Sequence, residues 1–288
     1  MPHFQYLFCC VMILMSIVSG APAQHRQGRS FSQDYSEIEQ LLIQEKQSNL
    51  ANLARELRLK NPYPKGSEQY QIWWEQAQFN VPILILSSIF LDKMCRKENI
   101  KKILFSQRDC YHWIKIFKEL FPDYDSRDFM TSRVAYRNPS PEYVQYVRNL
   151  CQDRCIIVDV QGTGKTCLEF FKNYFQSRPL HLAIVRSGTL CPGITHEFVY
   201  IEALNYAPFG SLMTLNSEGP VRFDVEYPVK LIEPATACVD RAVRLLKPGR
   251  FRFFNQVTMD RLMSVLKKYM PILMRYHVED HGRIGMGN

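Results

Sequence analysis

The stretch Cys155-Ile156-Ile157-Val158-Asp159-Val160-Gln161-Gly162-Thr163-Gly164-Lys165-Thr166 reads as a buried strand ending in an acid, then a loop rich in glycine and threonine that opens a helix. Such a turn builds a phosphate cradle. Gly162 and Gly164 let backbone amides approach an anion, and the helix start at Lys165 adds its partial positive charge. Thr163 and Thr166 add hydroxyl donors. Asp159, at the strand end, can accept hydrogen bonds from sugar hydroxyls or hold a divalent ion, for which Mg2+ is the expected helper.

Outward from this loop, short apolar runs alternate with helical stretches, the pattern of strand-helix-strand units on a parallel sheet. The spacing predicts strands at Lys102–Ser106, Asp128–Ser132, Cys155–Asp159 and Leu180–Val185, with helices at Tyr111–Phe121, from Ser140-Pro141-Glu142 to Leu150, and at Lys165–Phe175. Arg108-Asp109 and Arg133 then fall at carboxyl ends of parallel strands, where open α/β sheets bind ligands. Upstream, Ser32 to Lys60 predicts an amphipathic helix or helix pair, stopped by Asn61-Pro62-Tyr63-Pro64-Lys65-Gly66, and two more helices follow at Ser67–Phe79 and Pro82–Lys97. Downstream, a short helix at Glu197–Tyr206 and longer ones at Pro234–Leu246 and Thr258–Met270 are expected. The fold class is therefore α/β: three layers around a mostly parallel, Rossmann-like sheet. Its expected organisation is a leader at residues 1–23, a helical N-terminal region at 24–66, the α/β domain at 67–250 and a basic helical tail at 251–288.

The chain has 288 residues, 46% hydrophobic and 22% charged. These values exclude a disordered chain, a collagen-like chain and a disulfide knot. A net charge of +8 favours anionic partners. Nine Lys and Arg against one Asp between Arg241 and Arg275 make the tail either a solvated basic face or an anion-binding surface built on Arg244, Lys247, Arg250, Arg252, Lys267 and Lys268. Leu7 to Val18 is apolar and is followed by Ser19-Gly20-Ala21-Pro22-Ala23, the shape of a signal peptide. Secretion or an endomembrane lumen is the expected localisation, an N-terminal membrane anchor the alternative; no later stretch of the sequence could span a bilayer. Seven cysteines remain after Cys9 and Cys10, an odd number. Cys151 and Cys155 could start a metal site, but no matching pair follows, and buried apolar thiols are the expected reading.

Three families bear on the loop. A P-loop needs Gly where this chain has Asp159. Haloacid-dehalogenase-type phosphatases resemble it at Asp159, Gly162 and Thr163, with Gln161 in place of their second acid. Type I phosphoribosyltransferases resemble it at Asp159, Thr163, Gly164 and Thr166, with Val158 in place of their first acid, and the order of elements favours this phosphoribosyltransferase-like arrangement. From about Val81 to Asp240 the chain is also similar to the C-terminal region of bacterial polysaccharide-locus proteins described as haloacid dehalogenase superfamily hydrolases. That similarity runs through Pro82-Ile83-Leu84, Phe105-Ser106-Gln107-Arg108-Asp109, Thr131-Ser132-Arg133, Val158-Asp159 with Gly162-Thr163-Gly164, Ile201-Glu202-Ala203-Leu204 and Ala207-Pro208-Phe209-Gly210-Ser211, with Cys110 where those proteins carry Gly. It implies a sugar- or nucleotide-related role.

Asp159, Arg108, Asp109 and Arg133 are thus the candidate catalytic residues; Gly162, Thr163, Gly164, Lys165 and Thr166 are the candidate phosphate-binding residues; and Asp159 is the candidate metal ligand. Each has a plain structural alternative: a loop cap for Asp159, a local ion pair for Arg108-Asp109, a surface side chain for Arg133. His112 and His196 read as structural, and Trp73, Trp74 and Trp113 as core. Two classes of function stay open. One is an enzyme of transferase type acting on a phosphorylated sugar or nucleotide sugar. The other is a secreted binding or effector protein of the same fold without chemistry, or a degenerate haloacid dehalogenase-like phosphatase. The leader is directly testable: N-terminal sequencing of protein released by a secreting host should begin at Ala21 or Gln24, and intact Met1 on cytosolic protein would contradict it.

Overall fold

The computed structural model describes residues 35–186, 192–195, 200–224 and 229–274. The expected leader, Cys191, His196 and the chain after residue 274 lie outside the described residues. Five parallel strands form the central sheet in the order β2-β1-β3-β4-β5. They are β1 (Lys102–Ser106), β2 (Asp125–Phe129), β3 (Cys155–Gly162), β4 (Leu180–Arg186) and β5 (Gly193–Thr195). Their apolar runs suit a sheet covered on both faces. Side chains alternate across it: Ile103, Phe105, Ile156, Val158 and Val160 enter one core, while Leu104, Cys155 and Ile157 enter the other.

The first face is covered by α4 (Val81–Glu98), α5 (Tyr111–Leu120), α9 (Val229–Leu245) and α10 (Gln256–Lys268). Leu42 of α1 (Glu37–Gln44) and Leu50, Leu53 and Leu57 of α2 (Ser48–Leu59) join this same core, as do Met259, Leu262, Met263 and Leu266 of α10. The second face is covered by α6 (Arg133–Arg137), α7 (Pro141–Leu150) and α8 (Lys165–Phe175). This is the three-layer α/β architecture the sequence predicts. Among the described residues, no helix is long and apolar enough to cross a membrane.

Three elements depart from expectation. β2 ends at Phe129, three residues before the predicted end, because the Ser132 hydroxyl accepts from Ala135 N at 3.0 Å and starts α6. Arg133 therefore opens a helix instead of closing a strand. β3 continues through the acid to Gly162, paired with Arg186 of β4. The helix expected to begin at Pro234 is already formed at Val229, with Pro234 inside it.

A buried polar line ties the layers together. Between α3 (Glu68–Glu75) and α4 the helix widens into one π turn, Gln76–Asn80, and all five of its residues are buried. Gln76 Nε2 donates to Leu204 O at 2.7 Å, and Asn80 Nδ2 donates to Gln76 Oε1 at 2.7 Å and to Asn205 Oδ1 at 3.1 Å. Asn205 Nδ2 returns the bond to Asn80 Oδ1 at 3.0 Å. Gln78 Nε2 donates to Glu39 Oε1 at 3.0 Å, and Arg58 Nε donates to the same oxygen at 2.7 Å. Asn205 closes the 3-10 helix Glu202–Asn205, so this line fixes where Glu202 emerges.

Removing one amide leaves the side-chain oxygen of the other without its donor in the core, a loss of about 1–3 kcal/mol. Asn80→Ala and Asn205→Ala should each destabilise by that amount in urea unfolding. The double variant should cost at least about 0.5 kcal/mol less than the sum of the two; strict additivity would show that the pair is not coupled.

Candidate functional site

The site residues gather where the strand order reverses. The connection from β1 through α5 moves to β2 across one face, while the connection from β3 through α8 moves the other way, to β4, across the opposite face. The carboxyl ends of β1 and β3 therefore border the crevice that a doubly wound sheet leaves open. β1 delivers Gln107, Arg108 and Asp109; β3 delivers Asp159 and the loop Gly162 to Gly164.

Arg108 sits at φ 80, a left-handed conformation uncommon for a side chain other than glycine, and its guanidinium is held from several directions. Nε donates to Asp109 Oδ1 at 2.8 Å, Nη1 to Ser211 Oγ at 2.7 Å and Nη2 to Glu202 Oε1 at 3.3 Å. The Arg108-Asp109 pair is thus a local ion pair that also reaches across to a 3-10 helix and a hairpin approach. Asp159 is half-buried, and Val160 N donates to its Oδ1 at 2.8 Å. Desolvation raises the Asp159 pKa well above the ordinary carboxylate range, repulsion from Asp109 and then Glu202 adds to this, and Arg108 opposes it. One guanidinium thus faces three carboxyl groups. Cys110 lies beneath them, its thiol donating to Val158 O at 3.5 Å, and burial pushes it well above the usual thiol range.

The glycine loop divides its members. Gly164, with φ 68, caps α8 in the left-handed conformation, which a β-branched side chain resists. A Cβ on Gly162 would lie 3.8 Å from Asp159 Oδ2, an ordinary contact, so nothing in the chain itself demands glycine there. Thr163 Oγ1 accepts from Lys165 N at 3.1 Å and so serves the helix start. Lys165 is 64% exposed, with Nζ 3.9 Å from Glu169 Oε1 one turn along α8. Thr166 is half-buried in the first turn of α8. Arg133 is exposed at the start of α6 and, among the described residues, makes no hydrogen bond or ion pair with the cluster.

A hairpin, β6 (Leu212–Asn216) with β7 (Gly219–Arg222), completes the crest. Ser132 Oγ donates to Leu212 O at 2.5 Å, Arg222 Nη2 donates to Gln107 Oε1, and Arg222 Nη1 donates to Gly210 O at 3.1 Å. Gly210 is required because a Cβ there would meet Phe223 O at 1.9 Å. Glu202, Ser211 and Arg222 are the site members that residue-by-residue reading missed. Glu202 and Ser211 do lie in the segments that resemble the polysaccharide-locus proteins, the signal that could have singled them out.

Among the described residues, no three His, Cys, Asp or Glu side chains are grouped to hold a metal ion. Asp109 and Glu202 are engaged by Arg108. His112 is fully buried, and burial first and Lys115 second lower its pKa to about 3, so it is neutral. Trp113 Nε1 donates to Ser88 Oγ at 3.0 Å within the core. A separate cleft of 590 Å3, lined among others by Lys93, Arg96, Lys101, Tyr124 and Arg252, opens at the opposite end of the sheet, where β1 begins. No protein-family model matches the chain, and no curated protein matches it.

A carboxyl whose folded pKa is raised binds its proton more tightly in the folded than in the unfolded state. Its stabilising effect is present at acid pH and is lost as pH rises through the folded pKa. Asp159→Asn should therefore be more stable than the wild type at neutral pH, by about 1 kcal/mol, and the gain should vanish in acid. Thermal unfolding across pH measures this; a variant less stable at neutral pH would contradict the assignment.

Proposed function

We propose that the crest binds a phosphorylated sugar or nucleotide sugar. The phosphate lies against the backbone amides of the Gly162–Thr166 loop and the start of α8, and the sugar hydroxyls meet Asp159 and the Asp109-Arg108-Glu202 group. The observation that carries this reading is the reversal of strand order between β1 and β3, with Arg108, Asp109 and Asp159 all at its rim. Carboxylates and a guanidinium side by side suit a polyhydroxylated ring, whose hydroxyls both donate and accept. The loop, with glycines at 162 and 164, suits the anion.

Mg2+ enters this reading as a companion of the ligand's phosphates, with Asp159 as its protein ligand, in keeping with an ion that keeps most of its shell as water and phosphate. Binding is what the geometry supports best. A transfer of phosphoribosyltransferase type is its enzymatic form, and Val158, in place of that family's first acid, weighs toward a binding or effector role. A phosphatase of haloacid dehalogenase type is less well supported, because Gln161 stands where that family carries its second acid. Export, if the leader acts as expected, makes the ligand an extracellular or luminal one.

The test is calorimetric titration of phosphoribosyl pyrophosphate, with and without Mg2+, into the wild type, Gly162→Ala, Gly164→Val and Asp159→Asn, each checked for folding by circular dichroism. Charge-assisted hydrogen bonds are worth about 1.5–3 kcal/mol, so each variant should bind at least about tenfold more weakly. Gly162→Ala is the sharpest of the three, since its methyl fits the folded chain and intrudes only on a ligand. Equal affinity in all four proteins, or no binding of any phosphosugar by the wild type, would overturn the reading.

A further inference from the structure

The cleft at the amino end of β1 has a chemistry unlike that of the crest. Its floor is apolar: Ile89 of α4, Leu120 at the end of α5 and Phe251 are buried, and Phe121 packs half-buried beside them in the same core. Its rim is basic, with Lys93 and Arg96 from α4, Lys101 immediately before β1 and Arg252 from the segment after α9. Those four cations face two carboxylates, Asp92 and Asp123, an excess of two positive charges. Asp92 is already satisfied: Arg96 Nε donates to its two oxygens at 2.8 and 3.0 Å, and the Tyr124 hydroxyl donates to Oδ1 at 2.9 Å. Among the described residues, Lys93, Lys101 and Arg252 have no carboxylate partner. Lys101 Nζ lies instead 5.4 Å from the centre of the Tyr124 ring. The Arg252 guanidinium folds over Gly249, at φ 79, where a Cβ would stand 2.8 Å from Nη2, so the glycine leaves it room at the rim.

Basic side chains can serve only to balance the carbonyl ends of helices, an effect confined to the last turn. Arg96 has that place in α4, but Lys93 lies further back, Lys101 is outside any helix and Arg252 lies well past the end of α9 at Leu245. We propose that this cleft binds a phosphomonoester whose organic part is an apolar ring or short chain. The dianion balances the two surplus charges at the rim, and the apolar part covers the floor of Ile89, Leu120, Phe121 and Phe251. A cavity of 590 Å3 is of the size of small-molecule sites, which are mostly apolar with a few polar groups that fix orientation. A sugar fits less well here, because Asp92 and the Tyr124 hydroxyl are engaged with each other and the floor side chains are hydrocarbon. Crest and cleft thus select different phosphates.

The probe is 1-naphthyl phosphate, followed by its fluorescence in equilibrium dialysis against the full-length protein. It should bind with a Kd of about 1 mM or tighter. Inorganic phosphate, which lacks the apolar part, should displace it only at concentrations at least about tenfold higher, and 1-naphthol, which lacks the charge, should bind more weakly. Lys101 and Arg252 are exposed, so the double variant Lys101→Gln/Arg252→Gln leaves the core intact. It should bind the ester at least about tenfold more weakly, with an unchanged circular dichroism spectrum. Equal affinity in the double variant would place the ester elsewhere, the crest included, and overturn the proposal. So would 1-naphthol binding as tightly as its phosphate, inorganic phosphate competing at equal concentration, or binding to phosphatidate vesicles with none to 1-naphthyl phosphate.

Discussion

The reciprocal amide pair between Asn80 and Asn205 is the contact on which most of this architecture depends. Both side chains are fully buried, and a buried amide must find partners or cost about 1–3 kcal/mol. Here each is the other's partner, and Gln76 and the Leu204 carbonyl complete the set. The π turn makes this geometry available, because a single extra residue in the turn moves the polar side chains of Gln76, Gln78 and Asn80 into the interior. The same turn carries a second cluster, in which Gln78 bonds Glu39, the partner of Arg58, in the N-terminal helix pair. The π turn thus holds both the N-terminal helices and the 3-10 helix that presents Glu202 to Arg108, although they lie far apart in sequence.

That framework explains the electrostatics of the crest. Three carboxyl groups converge on one guanidinium, an arrangement that costs stability unless a proton, a cation or a hydroxylated ligand relieves it. Burial and the neighbouring Asp109 and Glu202 raise the Asp159 pKa well above the ordinary carboxylate range, so this carboxyl holds a proton more tightly than a free one. A site that is destabilised until occupied is a common compromise between stability and function. It also accounts for the left-handed Arg108, whose backbone is tolerable only because Asp109, Ser211 and Glu202 hold its side chain.

β3 links two chemically distinct ends. Its carboxyl half carries Asp159 and leads into the glycine loop; its amino end begins at Cys155, opposite Lys102 of β1. Between them Ile156, Ile157 and Val158 are wholly buried between the two helical layers. The strand that decides the fold thus also positions Asp159 at the crest.

The sequence by itself determined the sheet and most of its helices. β1, α8 and α7 could be read from residues such as Lys102–Ser106 and Lys165–Phe175 because apolar periodicity and helix caps are local signals. It also placed Gly164 at the start of α8, but it ended β3 at Asp159, whereas the strand runs on through that residue to Gly162. The tertiary structure decided the rest. Pairing with β1 set β2 at Asp125–Phe129, and the Ser132 cap that starts α6, a local signal the apolar run obscured, stopped the strand short. Only packing could leave Arg133 apart and bring Glu202 and Ser211 across about a hundred residues to Arg108. Long-range convergence has no sequence periodicity. It follows from which buried polar groups can satisfy one another once the sheet has formed.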